Sequence, residues 1–142
     1  QEELYNKYKE DIIKQFNLEN KSIEEQNKII NNYVSLPYWS EEEAPPHTTG
    51  GAIDLTLCYI DTKKELDMGT LFDSFSSKTA TNAYSNLENN LINKNRLILY
   101  NAMTSAGFTN LPTEYWHYSY GDKNWSKANN KPALYKGIYD LK

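Results

Sequence analysis

The chain contains two histidines, and each stands beside a carboxylate. His47 opens the run His-Thr-Thr-Gly-Gly-Ala-Ile-Asp, which ends at Asp54. His117 closes Glu-Tyr-Trp-His, which starts at Glu114. Two imidazoles and one carboxylate form a three-ligand set suited to zinc, with the fourth position open to water. In such a site the pKa of that water falls to about 7, which makes a hydroxide-like nucleophile available at neutral pH. A second carboxylate outside the ligand set can take its proton and pass it to a leaving amine, typically a gain of about 10²–10⁴-fold. Glu114 fits that role. Two other readings use the same residue types. A mononuclear iron oxygenase also takes two histidines and one carboxylate, but those sites usually place the first His and the acid two residues apart, and the gap here is seven. Alternatively, His47 and His117 are unrelated loop or core residues.

Convergence of these groups makes demands on the backbone. An odd offset along a regular strand sends two side chains to opposite faces, so His47 and Asp54 can meet only across a bend. Gly50 and Gly51 permit one. Glu114 and His117 face the same problem, and Pro112 supplies a turn ahead of them.

The elements expected around these motifs follow from periodicity. Leu4, Tyr8, Ile12, Ile13 and Phe16 recur at helical spacing over 2–17. Ser22 and Glu25 fit a capping box for a second helix, with Ile23, Ile29 and Ile30, reaching about Asn32. Tyr33–Pro37 reads as extended and Ser40–Pro46 as a loop, with Glu41–Glu43 solvated. Gly51–Ile60 alternates as a strand, with Cys58 packed. Met68–Ser77 reads as a loop. A long helix is expected from about Asn82 to Ala106, burying Leu87, Leu91, Ile98 and Met103, with Arg96 on its solvated side and Gly107 as its stop. Tyr115–Tyr120 reads as a second strand, with Tyr115 and Tyr118 candidates to line the site. The tail reads as a loop anchored by Trp125, Leu134, Tyr135 and Ile138. Helices flanking a small antiparallel sheet give an α+β domain.

Composition narrows the function. A chain of 142 residues, 39% hydrophobic and 24% charged, is one soluble domain with a real core. A net charge of −4 argues against a nucleic-acid partner. No apolar run approaches the roughly 20 residues that span a bilayer. The single cysteine, Cys58, excludes a disulfide framework and a multi-cysteine zinc site. It suits a reducing compartment, which favours the cytoplasm. Export stays open because the chain starts at Gln1 rather than Met, and the oligomeric state is not legible.

The stretches HTTGGAIDLTL, DMGTLFD and AMTSAGFTNLPTEYWHYSYGD, in that order, resemble the vancomycin-resistance type D-alanyl-D-alanine dipeptidases. These belong to a wider zinc peptidase family that includes D,D- and L,D-carboxypeptidases and shares its fold with the hedgehog signalling domain. The resemblance covers about Tyr33 to Asp122. It implies one zinc ion per chain held by His47, Asp54 and His117, with Glu114 as the catalytic base. It also implies that Asp73 holds the ammonium group of a small dipeptide. A desolvated ammonium needs an opposing carboxylate, whereas a carboxypeptidase acting on longer stem peptides would have no use for one there. Trp116, next to the last ligand, is implied to shape the substrate site. Cleaving the dipeptide removes the building block whose wall-bound form glycopeptides recognise. The alternatives are a carboxypeptidase on peptidoglycan stem peptides and a non-catalytic zinc module.

Two departures stand out. Pro45 lies two residues before His47, where the family carries a serine. No arginine precedes His47, where the family carries one that stabilises the oxyanion; the single arginine is Arg96. Residues 1–142 are therefore expected to be one zinc peptidase domain lacking an N-terminal segment, working poorly without that donor.

Overall fold

The computed structural model describes residues 2–31, 33–34, 44–87 and 90–138. It is an α+β arrangement of four helices and a three-stranded antiparallel sheet. The helices are α1 (Glu2–Gln15), α2 (Ile23–Ile30), α3 (Leu91–Ser105) and α4 (Lys123–Asn129). The strands are β1 (Ala52–Asp54), β2 (Thr109–Asn110) and β3 (His117–Ser119), in the order β1-β3-β2.

α1 and α2 pack their apolar faces together. Tyr5, Ile12, Leu18 and Ile30 are buried, with Tyr8, Phe16, Tyr33 and Phe75 against them. The Ser22–Glu25 capping box forms as expected: Ser22 Oγ accepts from Glu25 N, and Ser22 N donates to the Glu25 carboxylate. α2 ends at Ile30, and Tyr33 N and Val34 N both donate back to Ile30 O. Tyr33–Val34 is thus the turn that closes α2, not an extended segment. Ser35–Pro37 and Glu41–Glu43 lie outside the described residues.

The second cluster packs Met68, Leu99, Tyr115, Trp116 and Tyr118 behind the sheet, with Leu55, Leu57 and Met103 at its edge. Here several expectations are corrected. The strand expected over Gly51–Ile60 keeps ladder pairing only through Asp54, opposite His117. Leu55 N still donates to Trp116 O. Beyond it the chain pairs with itself through a bridge between Cys58 and Glu65, and Cys58 is exposed rather than packed. The long helix begins at Leu91, not near Asn82, because Asn90 caps it by accepting from Ile92 N and Asn93 N. Its buried face is Asn95, Arg96 and Leu99, whereas Leu87, Leu91 and Ile98 are exposed.

Arg96 is the largest correction. It is 1% exposed, and its guanidinium donates to the carbonyls of Met68, Lys78 and Ala80. It also stacks over Tyr84 and Tyr115, 4.8 and 4.4 Å from their centroids. Burial lowers its pKa, but the bonds and rings offset the cost of desolvating the charge.

In the tail, Asp122 caps α4 by accepting from Trp125 N at 2.9 Å. Trp125 is buried as expected, whereas Leu134, Tyr135 and Ile138 anchor the tail through backbone N–H groups that donate to Gly121 O and Thr48 O while their side chains stay exposed. No helix among the described residues is long and apolar enough to cross a membrane.

Candidate metal and catalytic site

His47 lies in a short 3₁₀ turn, Pro46–Thr49, which Thr48 and Thr49 close by donating their hydroxyls to the carbonyls of Pro45 and Pro46. The turn ends at Gly50 in the left-handed region, φ +70°, which is the bend that the odd offset to Asp54 requires. Gly51 meets a second constraint. A β-carbon there would lie 2.7 Å from Tyr120 O, so only glycine lets β1 run this close to the chain leaving β3. Pairing of Asp54 with His117 then sets acid and imidazole opposite each other across the sheet.

Glu114 and His117 converge through the expected turn. Glu114 N donates to Leu111 O and His117 N to Glu114 O. Asn110 holds this turn in place: its amide donates to the carbonyls of Glu114 at 3.1 Å and His117 at 3.0 Å. Thr81 Oγ1 in turn donates to Asn110 Oδ1 at 2.6 Å.

Three side-chain groups meet at one point. His47 Nε2 lies 3.2 Å from Asp54 Oδ2 and 3.2 Å from His117 Nδ1. His117 Nδ1 lies 2.9 Å from Asp54 Oδ1. Ligands at about 2.0 Å around a tetrahedral zinc are about 3.3 Å apart, so this spacing suits a shared metal. Asp54 Oδ1 is buried without a well-formed hydrogen bond despite that short contact; such an orphaned acceptor is what a cation would satisfy. On the far side of the ring, Ser119 Oγ lies 3.4 Å from His117 Nε2. The tautomer in which His117 Nε2–H donates to Ser119 Oγ is the one that leaves the Nδ1 lone pair for a metal. His47, Asp54 and His117 could thus hold a metal ion.

The electrostatics are uneven. Burial opposes the charge on Asp54, but the adjoining His117 and His47 imidazoles outweigh it and hold its carboxyl well below the usual range. The hydrogen bond to Asp54 raises the pKa of His47. Glu114 lies 3.9 Å from His117 Nδ1. Burial chiefly, with help from Asp54 and Asp73, pushes its carboxyl up to about 7.

All four groups line one cavity of about 340 Å³, together with Asp73, Tyr33 and Pro45. Asp73 adopts a left-handed backbone, φ +57°, and burial raises its pKa. Tyr115 and Trp116 are placed otherwise than expected. Both are 2% exposed, in the core, and neither lines the cavity. Trp116 packs against Phe72, the neighbour of Asp73, and Tyr115 against Arg96. Tyr118 is likewise fully buried. Arg96 is fully engaged elsewhere and does not reach the cavity. Sequence reasoning missed Asn110, Lys123 and Asn124; the Asp122 N-cap before α4 was the available signal for the last two.

Comparison with known proteins agrees with this geometry. The family model described as D-ala-D-ala dipeptidase matches residues 4–134. The D-alanyl-D-alanine dipeptidase of Synechocystis sp. is 36% identical over 96 residues, covering 61% of this chain and 38% of that protein. The Enterococcus faecalis enzyme of the same name is 35% identical over 77 residues, covering 54% and 37%. That of Enterococcus faecium is 36% identical over 82 residues, covering 58% and 40%. The match thus spans about two fifths of the length of these curated relatives. With the family model covering nearly all of it, the chain belongs to the D-ala-D-ala dipeptidase family.

Proposed function

We propose that this chain forms a zinc peptidase domain that hydrolyses D-alanyl-D-alanine to two D-alanines. The observation that carries the reading is the meeting of His47, Asp54 and His117 in one cavity with two further carboxylates, Glu114 and Asp73. Zinc, when bound by the three ligands, would acidify a water molecule and polarise the peptide carbonyl. Glu114 takes the proton of the attacking water, whose oxygen joins the carbonyl carbon. The carbon–nitrogen bond breaks, and Glu114 returns the proton to the departing amine. In the metal-free fold burial raises the Glu114 carboxyl above the usual carboxylate range, which favours its taking up a proton. Asp73 receives the substrate ammonium in the same cavity.

The test compares free D-alanyl-D-alanine with a pentapeptide ending in the same two residues, using zinc-loaded protein. D-alanine chiefly from the dipeptide supports the reading. Release chiefly from the pentapeptide makes the protein a carboxypeptidase, and zinc binding without hydrolysis makes it a non-catalytic module. Asp73→Ala sharpens the result. It is expected to impair cleavage of the free-amine dipeptide far more than that of its N-acetylated form, and equal losses would remove the ammonium contact.

A further inference from the structure

Asn110 stands in the two-residue strand β2 although asparagine is disfavoured in strands. Its backbone pairs with Tyr118, while its side-chain amide reaches the turn between β2 and β3. Nδ2 donates to Glu114 O at 3.1 Å and to His117 O at 3.0 Å, and Oδ1 accepts from Thr81 Oγ1 at 2.6 Å. Both amide hydrogens and the amide oxygen are therefore in use.

The turn does not need these bonds to satisfy its carbonyls. Glu114 O already accepts from His117 N at 3.3 Å, and His117 O from Leu111 N at 3.0 Å. The amide adds a second donor to each. The two carbonyls that it bridges belong to the candidate base and to one candidate ligand. Neither carbonyl can donate, so only the nitrogen end of the amide can face them. Thr81 holds the oxygen end, and Thr81 N donates to Pro112 O at 3.0 Å, which fastens it to the same turn. Neither side chain lines the cavity of the candidate ligands; both line a neighbouring cavity of about 530 Å³.

We infer that Asn110, locked by Thr81, is a positioning residue that fixes the spacing between Glu114 and His117 and, through it, the rate of the chemical step. The inference rests on the dipeptidase reading for that step. A displacement of about 1 Å at a reacting group can cost about a hundredfold in rate.

The experiment uses Asn110→Ala with two variants of Thr81. Thr81→Val removes the hydroxyl and keeps the shape, whereas Thr81→Ser keeps the hydroxyl. On zinc-loaded protein, Asn110→Ala is expected to lower kcat for D-alanyl-D-alanine at least about tenfold, with KM within about twofold. Thr81→Val should lower kcat at least about threefold, and Thr81→Ser should restore it. In the metal-free protein, NMR should show the His117 amide hydrogen exchanging at least about tenfold faster in Asn110→Ala and Thr81→Val, and at the parent rate in Thr81→Ser. Should Asn110→Ala fail to fold, the Thr81 pair decides. Parent-like kcat in Thr81→Val, with the dipeptide still cleaved, overturns the positioning role alone. So does a loss that Thr81→Ser shares equally, or one that falls on KM. Exchange that follows the hydroxyl while the parent cleaves no dipeptide keeps the grip on the turn and sinks the dipeptidase reading. Exchange indifferent to the hydroxyl, with no hydrolysis, overturns both.

Discussion

Two walls of the same cavity are built by opposite means. The wall that carries Glu114 and His117 is buried and densely bonded. His117 is 4% exposed, and the Asn110 amide grips the carbonyls on either side of the turn. Tyr115 N donates to Thr79 O, and Arg96 stacks on the Tyr115 ring. The wall that carries His47 and Asp73 is open. The His47 side chain is 50% exposed, on a single 3₁₀ turn. Asp73 sits at a left-handed backbone position beside the exposed Leu71 and Phe72. On the proposed reading, the closed wall holds Glu114 and one candidate ligand on a backbone with few alternatives, whereas the open wall gives a second candidate ligand, His47, and Asp73 access to solvent.

Breaking the closed wall should do the most damage. Replacing His117 with alanine removes a buried candidate ligand that also pairs with Asp54 across the sheet, and zinc content by atomic absorption is expected to fall from one ion per chain to almost none. His47→Ala, on the open wall, should leave weak residual binding, because Asp54 and His117 stay in place; equal affinities for the two variants would erase the distinction between the walls.

Next in size is Glu114→Gln. The variant should keep its zinc while turnover of the dipeptide drops by at least about a hundredfold. Near-normal turnover would take the proton-transfer role away from Glu114.

Arg96→Met tests the scaffold behind the closed wall. It strips the donors from the carbonyls of Met68, Lys78 and Ala80. Urea unfolding should show a loss of about 3 kcal/mol. A change within about 0.5 kcal/mol, typical of surface sites, would return Arg96 to the solvated role its sequence context suggested.

The smallest effect is on the metal-free protein as pH changes. The Glu114 carboxyl is raised from 4.5 to about 7 in the fold, so the folded state holds its proton more tightly than the unfolded chain. Its stabilising share is complete below pH 4.5 and is lost as pH rises through about 7, at most about 3 kcal/mol. His47, raised above 6.5, adds to the loss at higher pH. Asp54 acts oppositely, losing its share only as pH falls below 3.8. Unfolding midpoints in EDTA should therefore drop between pH 5 and pH 8, and Glu114→Gln should flatten that slope. A flat profile in the parent protein would contradict the burial assigned to Glu114.

The open and closed walls also differ in how far the sequence revealed them. His47, Asp54, Glu114 and His117 could be read as a group because histidines are scarce here and glycine and proline mark the bends that bring them together. The supports could not. Arg96 sits in a helical pattern whose exposed leucines and isoleucines look like the buried face, and its partners are backbone carbonyls of a distant loop, which leave no trace in side-chain periodicity. β2 is two residues long, too short for alternation to show. Asn90 shortened the long helix by capping it, a role that competes with helix continuation through local hydrogen bonds. Cys58 and Tyr59 alternate like a strand, yet the chain there folds back on itself before it can pair with β3.

X-ray absorption at the zinc edge of the loaded protein tests the central claim most directly. Two nitrogen and one or two oxygen ligands at about 2.0–2.1 Å are predicted, with the nitrogen contribution reduced by one in His47→Ala. A sulfur ligand at about 2.3 Å, or a spectrum that His47→Ala leaves unaltered, would contradict it.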